Sequence, residues 1–329
     1  MAGPGPRNAL TDVSGLTVGH AERADIKTGT TVILAETPVT AAVSVAGGGP
    51  GTRETDLLKA GMLVQKVDAV VLSGGSAFGL AAADGVAAEL CGVGRGFGLI
   101  DLPGVPKTPI VPAAILYDLA NGGNKDWGNQ PPYGDLGREA FHAASADVPL
   151  GTVGAGYGAR AGQHTGGLGS ASWKTDDGYT VAALVAVNCF GSVYMPGTEC
   201  FWAWPFEVEG EFGGVRPPAD YSVAPEDWGA AKVNPQPGQN TTIACVATDA
   251  PLSPSETQRM ADMAVAGLAR SIRPVFAPVD GDTVFALSTG ASTEGGLDAI
   301  TLSKLGELAA GCLARAVARG VWEAAQTGA

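Results

Sequence analysis

The chain has 329 residues, with 20 Lys or Arg against 33 Asp or Glu and a formal net charge of −13. Hydrophobic residues make up 45% and charged residues 16%, which supplies a substantial core and excludes a disordered chain. The acidic balance argues against nucleic acid or an anionic membrane surface as a partner.

Met1 to Asn8 lacks a charged segment followed by an apolar one, so no secretion signal is expected. No apolar run approaches the roughly 18 residues of a membrane helix, and the chain reads as cytoplasmic. Thr30 to Ala35 and Ala41 to Ala46 predict two short strands rich in Thr and Val. The Gly47-Gly48-Gly49-Pro50-Gly51 run then breaks the chain. Val67 to Leu72 predicts a strand that ends at Ser73-Gly74-Gly75, and Ser76 to Leu90 has helical apolar spacing. Val181 to Val187 and Thr242 to Ala247 predict buried strands. Between them, Met195 to Gln239 carries Trp202, Trp204, Trp228, clustered Glu207, Glu209 and Glu211, and many Pro and Gly residues. A structureless loop of that length is unusual, so this excursion is either functional or hides short strands. Ser253-Pro254-Ser255-Glu256 is a capping box with Pro at the first helical position, opening a helix from Pro254 to Ser271. A strand from Thr283 to Leu287 and a helix from Leu297 to Ala318 complete the pattern. Interleaved strands and helices give an α/β or α+β fold without internal repeats.

Cys91, Cys189, Cys200, Cys245 and Cys312 form no CxxC pair, and His20, His142 and His164 form no HxH or HxxxH pair. Neither a disulfide framework nor a metal site is expected, and no cofactor is implied.

The chemistry centres on Asn240-Thr241. A Gly/Pro-rich loop, Asn234 to Gly238, runs into this pair, and an apolar strand begins at once. A Thr hydroxyl is a poor nucleophile until a base takes its proton. An α-amino group, with a pKa of about 7.7–8.0, is such a base near neutral pH. Cleavage before Thr241 would place both groups on one residue, and the same hydroxyl can make that cut by an N-to-O acyl shift. Taken alone, the pair also fits a loop Asn followed by a strand-favouring Thr. Asp280-Gly281-Asp282 offers two carboxylates to orient a hydroxyl or ammonium, although Asp-Gly is equally a hairpin signal. Ser73-Gly74-Gly75-Ser76-Ala77-Phe78-Gly79 approaches the G-x-S-x-G elbow, but Phe78 stands at the final Gly position. Ser76 therefore reads as a contact for a bound carbonyl or anion, or as close packing. Asn188 ends its strand with an amide that could donate to an oxyanion, worth about 3–4 kcal/mol, or could simply finish the strand. Tyr117 could donate likewise.

Four segments together resemble the DmpA family (peptidase family S58) of self-cleaving hydrolases: Gly49 to Asp56, Val70 to Gly79, Asn240 to Ile243 with Ala247 to Ala250, and Gly281-Asp282 with Ser288-Thr289-Gly290. Thr after Asn, and Asp-x-Asp near the later site, are most similar to the family's endo-type 6-aminohexanoate-oligomer (nylon oligomer) hydrolases. The resemblance implies a four-layer αββα sandwich in one domain, autocleaved into residues 1–240 and 241–329. It implies Thr241 as nucleophile, support from Asp280 and Asp282, an oxyanion contact from Asn188 and a further active-site group in Tyr117. It also implies a small linear amide or peptide substrate and a tetramer of cleaved heterodimers. Aminopeptidase activity, or acyl transfer of the ornithine acetyltransferase kind, are the neighbouring chemistries. The family usually carries a Lys just before its Gly-Gly-x-Gly run, whereas here His164-Thr165 precede Gly166-Gly167-Leu168-Gly169. His164 is the candidate replacement and a candidate substrate contact.

Overall fold

A computed structural model describes residues 2–100, 102–233, 240–292 and 297–327. The expected loop Asn234 to Gly238 lies outside the described residues. In chain order the strands and helices are β1 (Leu16–Arg23), β2 (Thr28–Val45), β3 (Thr52–Arg53), β4 (Lys66–Ser73), α1 (Ala82–Gly92), β5 (Ala113–Ile115) and α2 (Tyr133–His142). There follow β6 (Arg160–Ala161), β7 (His164–Thr165), β8 (Gly167–Lys174), β9 (Thr180–Asn188), β10 (Thr241–Thr248), α3 (Pro254–Ala264), α4 (Ala266–Ser271), β11 (Thr283–Ser288) and α5 (Ala299–Gln326).

One sheet runs β3-β5-β4-β2-β11-β10-β9-β8, with β1 alongside β2. The β10–β11 and β4–β5 pairs are parallel, and the other pairs in this sheet are antiparallel. The two strands expected in 30–46 are a single strand of 18 residues, β2. Its first half pairs with β1 and β4, its last six residues pair with β11, and the register with β4 shifts between Leu34 and Val39. That irregularity lets one strand pass from one layer to the next.

The folded sheet makes two layers with apolar residues between them. Ile33, Leu72 and Leu116 on one side meet Leu184, Ile243 and Phe285 on the other. Helices α1 and α2 cover the β1-β2-β4 half through Val32, Val71, Val86 and Leu136. Helices α3, α4 and α5 cover the β8-β11 half through Val185, Val246, Met260, Leu268 and Leu313. Helix, sheet, sheet and helix are the four layers of an α+β sandwich. Strands β9 and β10 lie at its centre, buried on both faces, which is why they read as unbroken apolar runs.

The capping box forms as expected, with Ser253 accepting from Glu256 N–H. The helix expected from Pro254 to Ser271 instead breaks between Ala264 and Ala266. Ser76 to Ala81 is a tight 3₁₀ turn, so α1 starts only at Ala82. The final helix runs eight residues beyond Ala318, to Gln326, and lies flat on β8 because Gly169 has no side chain. A Cβ there would stand 1.8 Å from the Ala316 carbonyl oxygen.

Among the described residues of the 195–239 excursion, Trp204–Phe206 is the one short helix, of the 3₁₀ kind. It is nonetheless anchored: Phe201, Ala203 and Phe212 enter the core, and Glu211 reaches Arg315 of α5. The buried Arg315 guanidinium makes Nε to Oε1 and Nη2 to Oε2 contacts of 2.5 and 2.9 Å with Glu211, and donates to the Ser172 carbonyl and the Asn8 side chain. Arg315→Met leaves Glu211 only Arg319, at 3.4 Å, as a charge partner among the described residues and should cost about 3 kcal/mol. Chemical denaturation checks this, and a loss below about 1 kcal/mol would rule out a structural role for the pair.

Candidate active site

Thr241 opens β10 and stands directly opposite Asn188, the last residue of β9. On its other side β10 runs parallel to β11, and Asn240 bridges to Asp280 ahead of that strand. The ends of three strands thus converge on the Asn240–Thr241 peptide. Asp280-Gly281-Asp282 is not a hairpin turn but the lead-in to a parallel strand.

The Asn240 carbonyl oxygen accepts two hydrogen bonds, from the Thr241 hydroxyl at 2.5 Å and from Gly281 N–H at 2.8 Å. The Gly281 Cα is so close that a Cβ would stand 2.7 Å from Thr241 Oγ1 and 2.6 Å from the Gly49 carbonyl. The Gly47-Gly48-Gly49 break has its purpose here. Ala46 N–H donates to the Asp282 carbonyl and Gly49 N–H to the Asp280 carbonyl, clamping the Asp-x-Asp segment from its outer side.

Both carboxylates are buried and fixed by main-chain donors. Asp280 accepts from Phe190 and Ala277 N–H at 3.2 and 3.0 Å, and Asp282 from Thr242 and Phe276 N–H at 2.8 and 3.2 Å. Burial raises the pKa of both, and for Asp282 the neighbouring Asp280 charge adds to it. Such a pair holds a proton far closer to neutrality than an ordinary carboxylate does.

Asn188 is buried, its Nδ2 donating to the Tyr117 carbonyl at 3.1 Å and its Oδ1 accepting from Arg160 N–H at 2.9 Å. The structure brings Thr241, Asn188, Asp280, Asp282 and Tyr117 to one place. Tyr117, Asn188 and Asn240 line a cavity of about 130 Å³ together with Asp118, Arg160 and Lys232. Ser76 does not line that cavity, and its N–H is held by the Leu116 carbonyl at 3.0 Å in a turn with φ of +50°. His164 does not line it either. Its ring packs on Tyr194 with centroids 4.8 Å apart, and partial burial lowers its pKa.

The cation beside the site is Lys232, which the sequence reading passed over. Its Nζ donates to the Asn188 carbonyl at 3.2 Å and lies 3.5 Å from Asn188 Oδ1. Main-chain bonds from Lys232 N–H to Phe190, and from Gln163 N–H to Ala230, seat the segment that carries it. Burial lowers the Lys232 pKa to about 8, against the opposing pull of Cys189 and Asp280. Lys232 comes from the far end of the excursion, whereas His164 lies on β7.

The sequence profile of peptidase family S58 matches residues 8–329. The chain belongs to peptidase family S58. An uncharacterized aminopeptidase of Mycobacterium bovis is 44% identical over 334 aligned residues, covering 96% of this chain and 94% of that protein. A 6-aminohexanoate-oligomer endohydrolase of Agromyces is 30% identical, covering 84% of this chain and 74% of that one. Among solved structures, a Burkholderia beta-aminopeptidase matches with TM-score 0.71 at 24% identity, covering 97% of this chain and 88% of that one. The L-aminopeptidase D-Ala-esterase/amidase of Ochrobactrum anthropi, described as a variant of the Ntn hydrolase fold, matches with TM-score 0.70 at 22% identity, covering 98% and 88%. Family membership makes this S58 chain a hydrolase of amide bonds, on an α+β scaffold. Among its described residues no helix is long and apolar enough to cross a membrane.

Proposed function

We propose that the chain is an N-terminal-nucleophile amidohydrolase that cuts its own Asn240–Thr241 bond. The observation that carries the reading is the double hydrogen bond to the Asn240 carbonyl oxygen, from the Thr241 hydroxyl and from Gly281 N–H. In the precursor the Thr241 nitrogen is an amide and cannot take a proton. The Asp280–Asp282 pair, with its raised pKa, serves as acceptor when Thr241 Oγ1 attacks the Asn240 carbonyl carbon. Gly281 N–H stabilises the oxyanion that forms. Collapse moves the acyl group from nitrogen to oxygen, and water hydrolyses the ester to leave an Asn240 carboxylate and a free Thr241 amine. The Asn240 side chain favours the cut, since its buried Oδ1 and Nδ2 find no partner among the described residues. An unpaired buried group of this kind costs about 1–3 kcal/mol.

In the mature enzyme the Thr241 amine takes the hydroxyl proton and returns it to the leaving amine, and water releases the acyl-enzyme. Asn188 and Tyr117 border the substrate, Lys232 holds the Asn188 main chain and balances the carboxylates, and the working unit is a tetramer of cleaved heterodimers. The substrate is a linear amide. 6-Aminohexanoate oligomers and peptides with a free amino end are the two chemistries to try first.

A denaturing gel with intact mass tests the proposal. Purified protein should give fragments 1–240 and 241–329, and Thr241→Ala a single 32.9 kDa chain without amidase activity. A wild-type chain that stays whole on long incubation, or an active Thr241→Ala variant, would sink it.

A further inference from the structure

Thr241 and Thr242 are neighbours on β10, but successive side chains of a strand point to opposite faces of the sheet. Ile243 and Cys245, in step with Thr241, enter the apolar layer between the two halves of the sheet. Ala244 and Val246, in step with Thr242, pack with Met260, Leu268 and Leu313 of the covering helices. The parallel register sets Ile243 against Thr283, so Thr242 comes level with Asp282. On its other side Thr242 faces Val187 of β9.

Thr242 N–H donates to Asp282 Oδ1 at 2.8 Å. Its hydroxyl is fully buried and has no hydrogen-bond partner among the described residues. At a buried strand position beside Val187 a valine would avoid that cost, so the hydroxyl calls for an explanation. The acceptor next to it is the carboxylate that its own N–H already holds. Burial and then the Asp280 charge raise the Asp282 pKa, while Thr242 N–H, Phe276 N–H and the Thr242 hydroxyl pull it down. The other charged and titratable groups acting on Asp282 are Lys232 from the excursion and the Cys189 thiol after β9. Burial pushes that thiol up to about 12, so it stays neutral.

We propose that Thr242 is a positioning residue whose hydroxyl turns to donate to the ionised Asp282 and so keeps that carboxylate ready to take the Thr241 proton. This inference rests on the proposed self-cleavage, in which the Asp280–Asp282 pair is the acceptor. In that step Thr241 Oγ1 bonds the Asn240 carbonyl carbon and the pair takes the hydroxyl proton. The proton then passes to the Thr241 nitrogen as its bond to that carbon breaks. A hydroxyl suits both states of the pair, because it donates to a carboxylate and accepts from a carboxylic acid. The change needs only a rotation of the hydroxyl, since the main-chain bond from Thr242 N–H stays in place. A methyl at the same point fills the space and does neither.

The full chain, made by cell-free synthesis, is moved into buffers from about pH 5 to about pH 9, and the loss of the intact 32.9 kDa species is timed. Thr242→Val, close to Thr in volume, should move the acid limb of self-cleavage up by about one pH unit. At about pH 6 it then cuts about tenfold more slowly than the wild type, and the deficit narrows as pH rises. Thr242→Ser keeps the hydroxyl and should follow the wild-type acid limb. If Thr242→Val lacks a cooperative thermal transition, Thr242→Ala replaces it with the same expected shift. An acid limb unmoved in Thr242→Val, a deficit equal at every pH, or a Ser variant shifted as far as Val overturns the inference and leaves self-cleavage by Thr241 standing. A wild-type chain that stays whole at every pH removes the self-cleavage reading, and the inference goes with it.

Discussion

Gly281→Ala is expected to leave most of the protein as an uncut 32.9 kDa chain. The added methyl would sit 2.7 Å from Thr241 Oγ1 and 2.6 Å from the Gly49 carbonyl oxygen, closer than real Cβ contacts allow. Neither neighbour is the free end of a flexible side chain. Gly49 is held by its own bond to the Asp280 carbonyl, and Thr241 sits in a ladder between β9 and β11. The hydroxyl must therefore rotate off the Asn240 carbonyl, or Gly281 N–H must withdraw from it. Either movement removes one of the two contacts on which the acyl shift depends. Loss of a single oxyanion donor slows acyl transfer by about 10²–10³, and self-cleavage should slow by that factor. The fraction of intact chain against time after purification reads this directly. A cooperative thermal transition in the uncut variant separates a misplaced hydroxyl from a chain that failed to fold. Cleavage at the wild-type rate would show that Gly281 is only a packing glycine.

What the sequence made legible follows from how each element is buried. Strands β9 and β10 are covered on both faces, so they appear as apolar runs that no loop mimics, and Thr241, the proposed nucleophile, opens one of them. The capping box of α3 is likewise a local signal with local causes. The elements that escaped notice are those where glycine or alternation weakens the pattern. Helix α2 carries Gly134 and Gly137, and the second is there because a Cβ would meet the Ala82 carbonyl of α1 at 2.0 Å. Strand β8 needs Gly169 for the same reason against α5, so tertiary contact has erased the local preference. The two strands read in 30–46 became one because Val39 and Thr40 resume pairing with β4 beyond a register shift that composition does not announce. At the site, Asp280 and Asp282 stood out as carboxylates, but their setting beside a parallel strand depends on a long-range pairing with Asn240. Lys232 left no trace, since its place is fixed by hydrogen bonds to residues 163 and 190, far away in sequence.

Lys232 is where the pH dependence of processing should show. Its ammonium acts on Asp280 and Asp282 through charge and on Asn188 through a hydrogen bond, so it positions rather than reacts. The carboxylate pair, raised by burial, must lose its proton to accept that of Thr241, so cleavage slows as pH falls below neutrality. Lys232, lowered by burial to about 8, loses its charge as pH rises through that value, and cleavage slows again. The wild-type profile is therefore a bell with its maximum between the two limbs. Lys232→Gln removes the alkaline limb, because nothing there is left to deprotonate. It also moves the acid limb upward, because the Lys232 charge is what pulls the Asp280 pKa down. At pH 7 self-cleavage should fall about tenfold or more and recover in part at pH 9. Lys232→Arg, whose charge persists at every working pH, should cut itself and lack the alkaline limb. A rate reduced equally at all pH values in Lys232→Gln would mean that the side chain only packs. A bell retained in that variant would assign the alkaline limb to another group.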